Sequence, residues 1–215
     1  MKRTMLVALV SLNWVTSSLH ATIQNLSFSG PMTWTPGTSV VLAVQDTYSG
    51  YGAGSYGSSY WLQLNTSLAP FLTITGLVYY PPFPIGYNGP FPILFDSTAG
   101  SDPGFSCETA DLGAEPNPPF EPAAGAPVPD GSYHITDITF ALAAGAPAGI
   151  YTLRTTTASP RVSVQIGSDS GHAPFPQASF VFNVVPEPSS LALIALTSIG
   201  AGVMAYRHRK HGDKH

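Results

Sequence analysis

Cysteine is nearly missing from this chain: Cys107 stands alone among 215 residues. No disulfide can form within the chain, so burial alone must stabilise it, and a cysteine so far from the N-terminus excludes lipid attachment at a processed N-terminal cysteine. Basic side chains are almost as scarce. Of the eight Lys and Arg residues, Lys2, Arg3, Arg207, Arg209, Lys210 and Lys214 lie near the ends, which leaves Arg154 and Arg161 against ten acids over residues 22–185, a formal charge of −8. A surface of that sign argues against nucleic acid or anionic lipid as a partner; it suits solubility or cation binding.

Recognisable catalytic constellations are missing too. No Gly-x-Ser-x-Gly elbow occurs, and nucleophilic catalysis by Cys107 would need an activating base that no spacing locates. Between the end segments the histidines are His134 and His172, on separate stretches and without a close second ligand of the kind zinc uses, so no metal or other cofactor is expected. Asp96 with Asp102, and Glu108 with Asp111, could supply oxygen ligands but lack the dense spacing of a calcium loop. That any two of ten carboxylates could meet in space gives a glycosidase no support. Gly52, Gly54 and Gly57 match the spacing of a dinucleotide fingerprint, but the residues that follow, SSYWLQLN, read as a strand where the motif needs a helix.

What is present is concentrated at the two ends. Lys2 and Arg3 precede an apolar stretch from Met5 to Val15 and a small, polar exit at Thr16, Ser17 and Ser18. This is the layout of a secretory signal peptide over residues 1–21, with cleavage after Ala21 or after Ser18. At the other end residues 189–206 carry no charge, and eighteen residues make a helix of roughly 27 Å, enough to cross a bilayer. The basic tail 207–215, with Arg207, Arg209 and Lys210, should stay on the cytoplasmic side and point the preceding domain outward.

Pro186, Glu187 and Pro188, the apolar helix behind them and the basic block together resemble the PEP-CTERM sorting signal of exported bacterial proteins. The resemblance implies a transient partner, an inner-membrane exosortase that recognises the tail and cuts near Pro186, Glu187 and Pro188. It also implies association with exopolysaccharide and biofilm matrix. The stretches AGIYTLRTTT and SFVFNVVPEP are similar to the final strands of such ectodomains and imply no activity. Two prolines fix φ and keep the motif extended and accessible.

Residues 22–185 suffice for one domain with a real core. Thr, Tyr, Phe and Val are plentiful, Gly and Pro punctuate them, and helix-building Lys, Glu and Arg are rare. Strands are expected over 22–28, 39–45, 59–65, 71–80, 93–96, 134–142, 150–156, 161–166 and 179–185. Alternation buries Ile138, Phe140 and Leu142 on one, and Tyr151 and Leu153 on another. About nine strands without crossover helices predict an all-β fold, an antiparallel β-sandwich or jelly roll. Residues 97–133 lack any period and read as a long loop with a helical turn near 107–112; residues 81–92 read as a proline-rich connector with aromatic plugs.

Tyr48, Tyr51, Tyr56 and Tyr60 stand among glycines and serines, as on a mobile rim loop whose rings could stack on sugars. The leading expectation is an exported, membrane-anchored, non-enzymatic β-sandwich, structural or adhesive in exopolysaccharide matrix. The alternatives are a carbohydrate-binding module using those four tyrosines and, after it, a hydrolase whose carboxylates converge only in the fold.

Overall fold

The computed structural model describes residues 23–86, 91–96, 102–110, 112–115, 127–157, 161–167 and 172–186. The signal peptide, the helix over 189–206, and Asp111, Glu187, Pro188, Arg207, Arg209 and Lys210 lie outside the described residues. In chain order the strands are β1 (Ile23–Ser29), β2 (Thr33–Trp34), β3 (Ser39–Ser49), β4 (Ser55–Ser59), β5 (Leu62–Asn65), β6 (Leu72–Tyr79), β7 (Ile85–Gly86) and β8 (Ile93–Asp96). They continue with β9 (Phe105–Glu108), β10 (Ala114–Glu115), β11 (Gly131–Leu142), β12 (Gly149–Thr155), β13 (Val164–Gly167), β14 (His172–Pro174) and β15 (Ser179–Val184). Among the described residues the one helical turn is a 3-10 turn, Ala69–Phe71.

Ten strands form a curled sheet in the order β1-β3-β11-β6-β8-β9-β5-β12-β15-β2. The fold occurs at β8: Ile93 and Leu94 pair with Ile74 and Thr73 of β6, whereas Phe95 and Asp96 pair with Glu108 and Cys107 of β9. One short strand thus belongs to both layers. All pairings in this sheet are antiparallel except that between β15 and β2. The second sheet, β14-β13-β4-β10-β7, is joined to the end of β3 through side chains. Tyr48 donates to the Val128 carbonyl, and Val128 exchanges two backbone hydrogen bonds with Ser55.

Period-2 alternation explains the core. Val40, Leu42, Val44, Asp46 and Tyr48 of β3 point inward, as do Phe180, Phe182 and Val184 of β15. Ile138, Phe140, Leu142, Tyr151 and Leu153 are buried as their alternation predicts. At the centre the Trp34 ring stacks on Phe182 with centroids 3.8 Å apart and meets Phe140 of the opposite layer at 5.7 Å. Its indole N–H donates to the Pro31 carbonyl at 2.7 Å, so the ring is buried without an unpaired donor.

The 97–133 loop is corrected: Ala114–Glu115 is strand β10 and strand β11 begins at Gly131. Phe105–Glu108, its last two residues expected to open a helical turn over 107–112, is strand β9, paired with both β5 and β8. Ser106, Cys107 and Glu108 are all buried, so both faces are covered and no alternation marks the strand in the sequence. The 81–92 connector does supply an aromatic plug, Phe83, packed edge-on against Tyr48 and Tyr133.

Two stability measurements follow. Trp34→Ala should cost about 3–5 kcal/mol in denaturant unfolding, since it empties the centre of the core. Asp46 is fully buried beside Gln165; burial raises its carboxyl to about 8, with Gln165 offsetting this in part. The folded protein therefore holds a proton between about pH 4 and 8 that the unfolded chain releases. Stability should be greatest below that window and fall as pH rises through it, by up to about 1.4 kcal/mol per pH unit. Asp46→Asn should flatten this profile and raise the unfolding midpoint at pH 8; an unchanged slope would show that another group carries the dependence.

Candidate functional site: the exit of the C-terminal tail

The tyrosine-rich segment 48–60 does not form a mobile rim. Tyr48, Tyr51 and Tyr60 are buried in the core and Tyr56 is half-buried. Tyr48 packs edge-on against Tyr51 and lies 5.8 Å from Tyr133, and the Tyr51 hydroxyl donates to Gln24 Oε1. The backbone is pinned as well: the Gly50 N–H donates to Asp130 Oδ2 at 2.6 Å. Gly54 has φ +121°, and a Cβ there would lie 2.0 Å from the Val128 carbonyl oxygen, so only glycine lets the two segments meet. The expectation of free tyrosine faces for sugar stacking is thereby corrected. These rings are amphipathic, and burying their apolar bodies while bonding their hydroxyls outweighs leaving them on a flexible tip.

The two arginines of the domain both serve strand β9. Arg154 lies over the Phe105 ring at 3.5 Å, donates to Asp102 Oδ2 at 2.5 Å and to Gln63 Oε1 at 3.2 Å. Arg161 covers the Trp61 ring at 4.5 Å and donates to the Glu108 carbonyl. Beneath them the Glu108 carboxylate accepts the Leu62 N–H and lies 3.7 Å from Cys107 Sγ. Burial, reinforced by the Glu108 charge and partly offset by Arg161, pushes the Cys107 thiol up to about 12. Such a thiol is protonated and inert at neutral pH. Asp102 is thus tied to Arg154, Asp96 is exposed, and His134 bonds Asp137 at 2.8 Å while stacking on Tyr80. Among the described residues no three His, Cys, Asp or Glu side chains cluster as metal ligands would. A shallow cavity of about 450 Å³ beside β8 is lined by Thr66, Leu94, Phe95, Asp96, Ser106 and Thr109. Its polar side-chain groups are hydroxyls and one carboxylate.

The chain leaves the domain through β15, the strand with the most direct bearing on the tail. Asn183 donates to the Met32 carbonyl at 2.8 Å and Val185 to the Trp34 carbonyl at 3.0 Å. On the other side Gly149 and Ile150 of β12 pair with Val184 and Asn183. Pro186 has no N–H to extend this ladder, and it is exposed. Among the described residues the hydrogen bonds of the sheet therefore run up to Val185, directly before Pro-Glu-Pro. Residues 184–210 match the model of the PEP-CTERM protein-sorting motif. The chain carries a PEP-CTERM sorting motif. It is accordingly an exported protein whose tail exosortase recognises. Among the described residues no helix is long and apolar enough to cross a membrane.

No curated protein matches the chain. Among solved structures, the domain in front of the PEP-CTERM motif is similar to a cohesin module from a Clostridium perfringens family 33 glycoside hydrolase, at 11% identity and TM-score 0.50, covering 77% of this chain and 99% of the module. This likeness shows an all-β fold of sandwich type and nothing of activity. AvmM, described as catalysing macrocyclisation in alchivemycin A biosynthesis, is 16% identical with TM-score 0.41, covering 77% of this chain and 90% of AvmM. The CARDB domain of a Pyrococcus furiosus protein, solved with di-metal ions, is 9% identical with TM-score 0.36, covering 77% and 96%.

Of the residues predicted to act in sorting, Pro186 is placed at the domain's edge, and Glu187 and Pro188 lie outside the described residues. Sequence reasoning missed Trp34 and Met32 as the residues whose carbonyls secure β15. Their signal was the PMTWTP stretch, an alternating pair held between prolines. Cys107 gives this region a chemical readout, because no other thiol competes with it. In the native protein it should resist alkylation at pH 8, while one equivalent should react once denaturant is added; rapid native labelling would contradict the buried, protonated thiol.

Proposed function

We propose that the protein is an exported, non-enzymatic β-sandwich that its C-terminal helix holds in the inner membrane, facing outward, until exosortase acts on the tail, and that it then serves as a structural or adhesive component of exopolysaccharide matrix. The observation that carries this reading is the position of the sorting motif. The matched motif starts at Val184, inside β15, and Val185 still bonds the Trp34 carbonyl, so the tripeptide follows directly on the hydrogen-bonded sheet. The side chains that could bind or react support a structural role: both arginines brace β9, Cys107 is buried, and the tyrosines fill the core. The acidic surface keeps the released domain soluble and away from anionic polymers.

Deleting residues 186–215 should move the protein from the membrane fraction to the soluble one. Retention of the truncated protein in membranes would remove the anchoring role. The intact mass of the mature protein from cells should show loss of both the signal peptide and the tail; a mass that retains residues 189–215 would refute processing.

A further inference from the structure

We infer that the end of the sandwich from which the tail departs is a bilayer-apposed face, resting on the lipid interface of the membrane that the tail enters. The inference rests on the reading that residues 189–206 span that membrane. Among the described residues Val185 makes the last backbone hydrogen bond to the domain, and the proposed span begins four residues later. Even fully extended, four residues reach roughly 14 Å. That is about twice the headgroup layer on one side of a bilayer, so the exit end stays within about 10 Å of the lipid surface.

The composition of that end fits the position. Because β15 runs toward the exit, the pairing registers bring five connections to the same end: residues 30–32 (GPM), 35–38 (TPGT), 66–71 (TSLAPF) and 143–148 (AAGAPA), and the β8–β9 connection, which reaches β9 through Asp102. The first four contain no charged residue, in a domain that carries ten acids, and the last three of these lie side by side. They are tied into one surface by backbone bonds, Gly37 N–H to the Leu142 carbonyl at 2.8 Å, Leu142 N–H to the Thr38 carbonyl at 3.0 Å and Ala143 N–H to the Phe71 carbonyl at 2.9 Å. Level with Asn183 are Met32 and Ile150, 71% and 76% exposed, the two most exposed large apolar side chains among the described residues. The charges nearby are Asp102, neutralised by Arg154, and Asp96 at the end of β8. An acidic domain held against anionic lipid would be repelled; an end whose charges among the described residues are Asp96 and the Arg154–Asp102 pair, and which has two exposed apolar side chains, lowers that cost. Small side chains let the surface lie close.

The test uses the full chain in vesicles of phosphatidylethanolamine and phosphatidylglycerol containing a headgroup spin-labelled lipid. A fluorophore is attached at Ala144→Cys, at Ile150→Cys, or at Ala53→Cys in the turn between β3 and β4 at the opposite end; buried Cys107 should take no label, which the unsubstituted protein checks. Emission at positions 144 and 150 should be strongly quenched and that at 53 unaffected. Equal emission from all three, in protein that co-sediments with the vesicles, would overturn the apposed face while leaving the membrane-spanning tail intact. Failure to co-sediment would overturn both. Quenching that appears only in vesicles containing exosortase would assign the face to the enzyme and likewise overturn a lipid contact.

Discussion

The stacking of Trp34 on Phe182 is the contact on which the rest of the architecture depends. Phe182 belongs to β15 in one layer, Phe140 to β11 in the other, and Trp34 touches both. Strand β2 contributes only two residues, too few to hold an edge by hydrogen bonds alone. The indole anchors it from inside, and β2 then offers the Trp34 carbonyl that ends the ladder of β15. Core packing and tail geometry are two results of one buried ring.

Charge is distributed with similar economy. A domain with ten acids and two bases has few ways to stabilise a polar segment internally, and both arginines are committed to the same strand. Strand β9 comes from the acidic, proline-rich section, the part of the chain least suited to a sheet. Each guanidinium lies on an aromatic face; Arg161 bonds the Glu108 carbonyl at the end of β9 and Arg154 bonds Asp102 before its start, contacts that gain from being partly withdrawn from water. Elsewhere the domain presents little to which an anionic ligand could bind.

The fold class was legible in the sequence because nine expected strands alternate cleanly or are apolar enough to bury. The 93–96 strand coincides with β8, and the 179–185 strand differs from β15 by its final residue. Strands β2, β7, β10 and β14 were illegible since two or three residues cannot display a period. β9 was hidden by burial on both faces. Tyr48, Tyr51 and Tyr60 misled for a physical reason: glycine and serine around an aromatic residue suit a flexible tip, and they equally suit a tight crossing such as that of Gly54 over Val128. Local composition does not distinguish the two; only the packing partner, eighty residues away for Tyr48, does so. The sorting motif was legible in full, because its meaning lies in linear order.

The lone parallel pairing, β15 with β2, has a mechanical consequence. A load applied through the C-terminus pulls along the axis of β15, which is hydrogen-bonded to β12 on one side and β2 on the other. Extraction must therefore shear two ladders at once, together with the aromatic stack beneath them, whereas an edge strand would peel one bond at a time. A pull on the C-terminus meets both ladders and the core stack together.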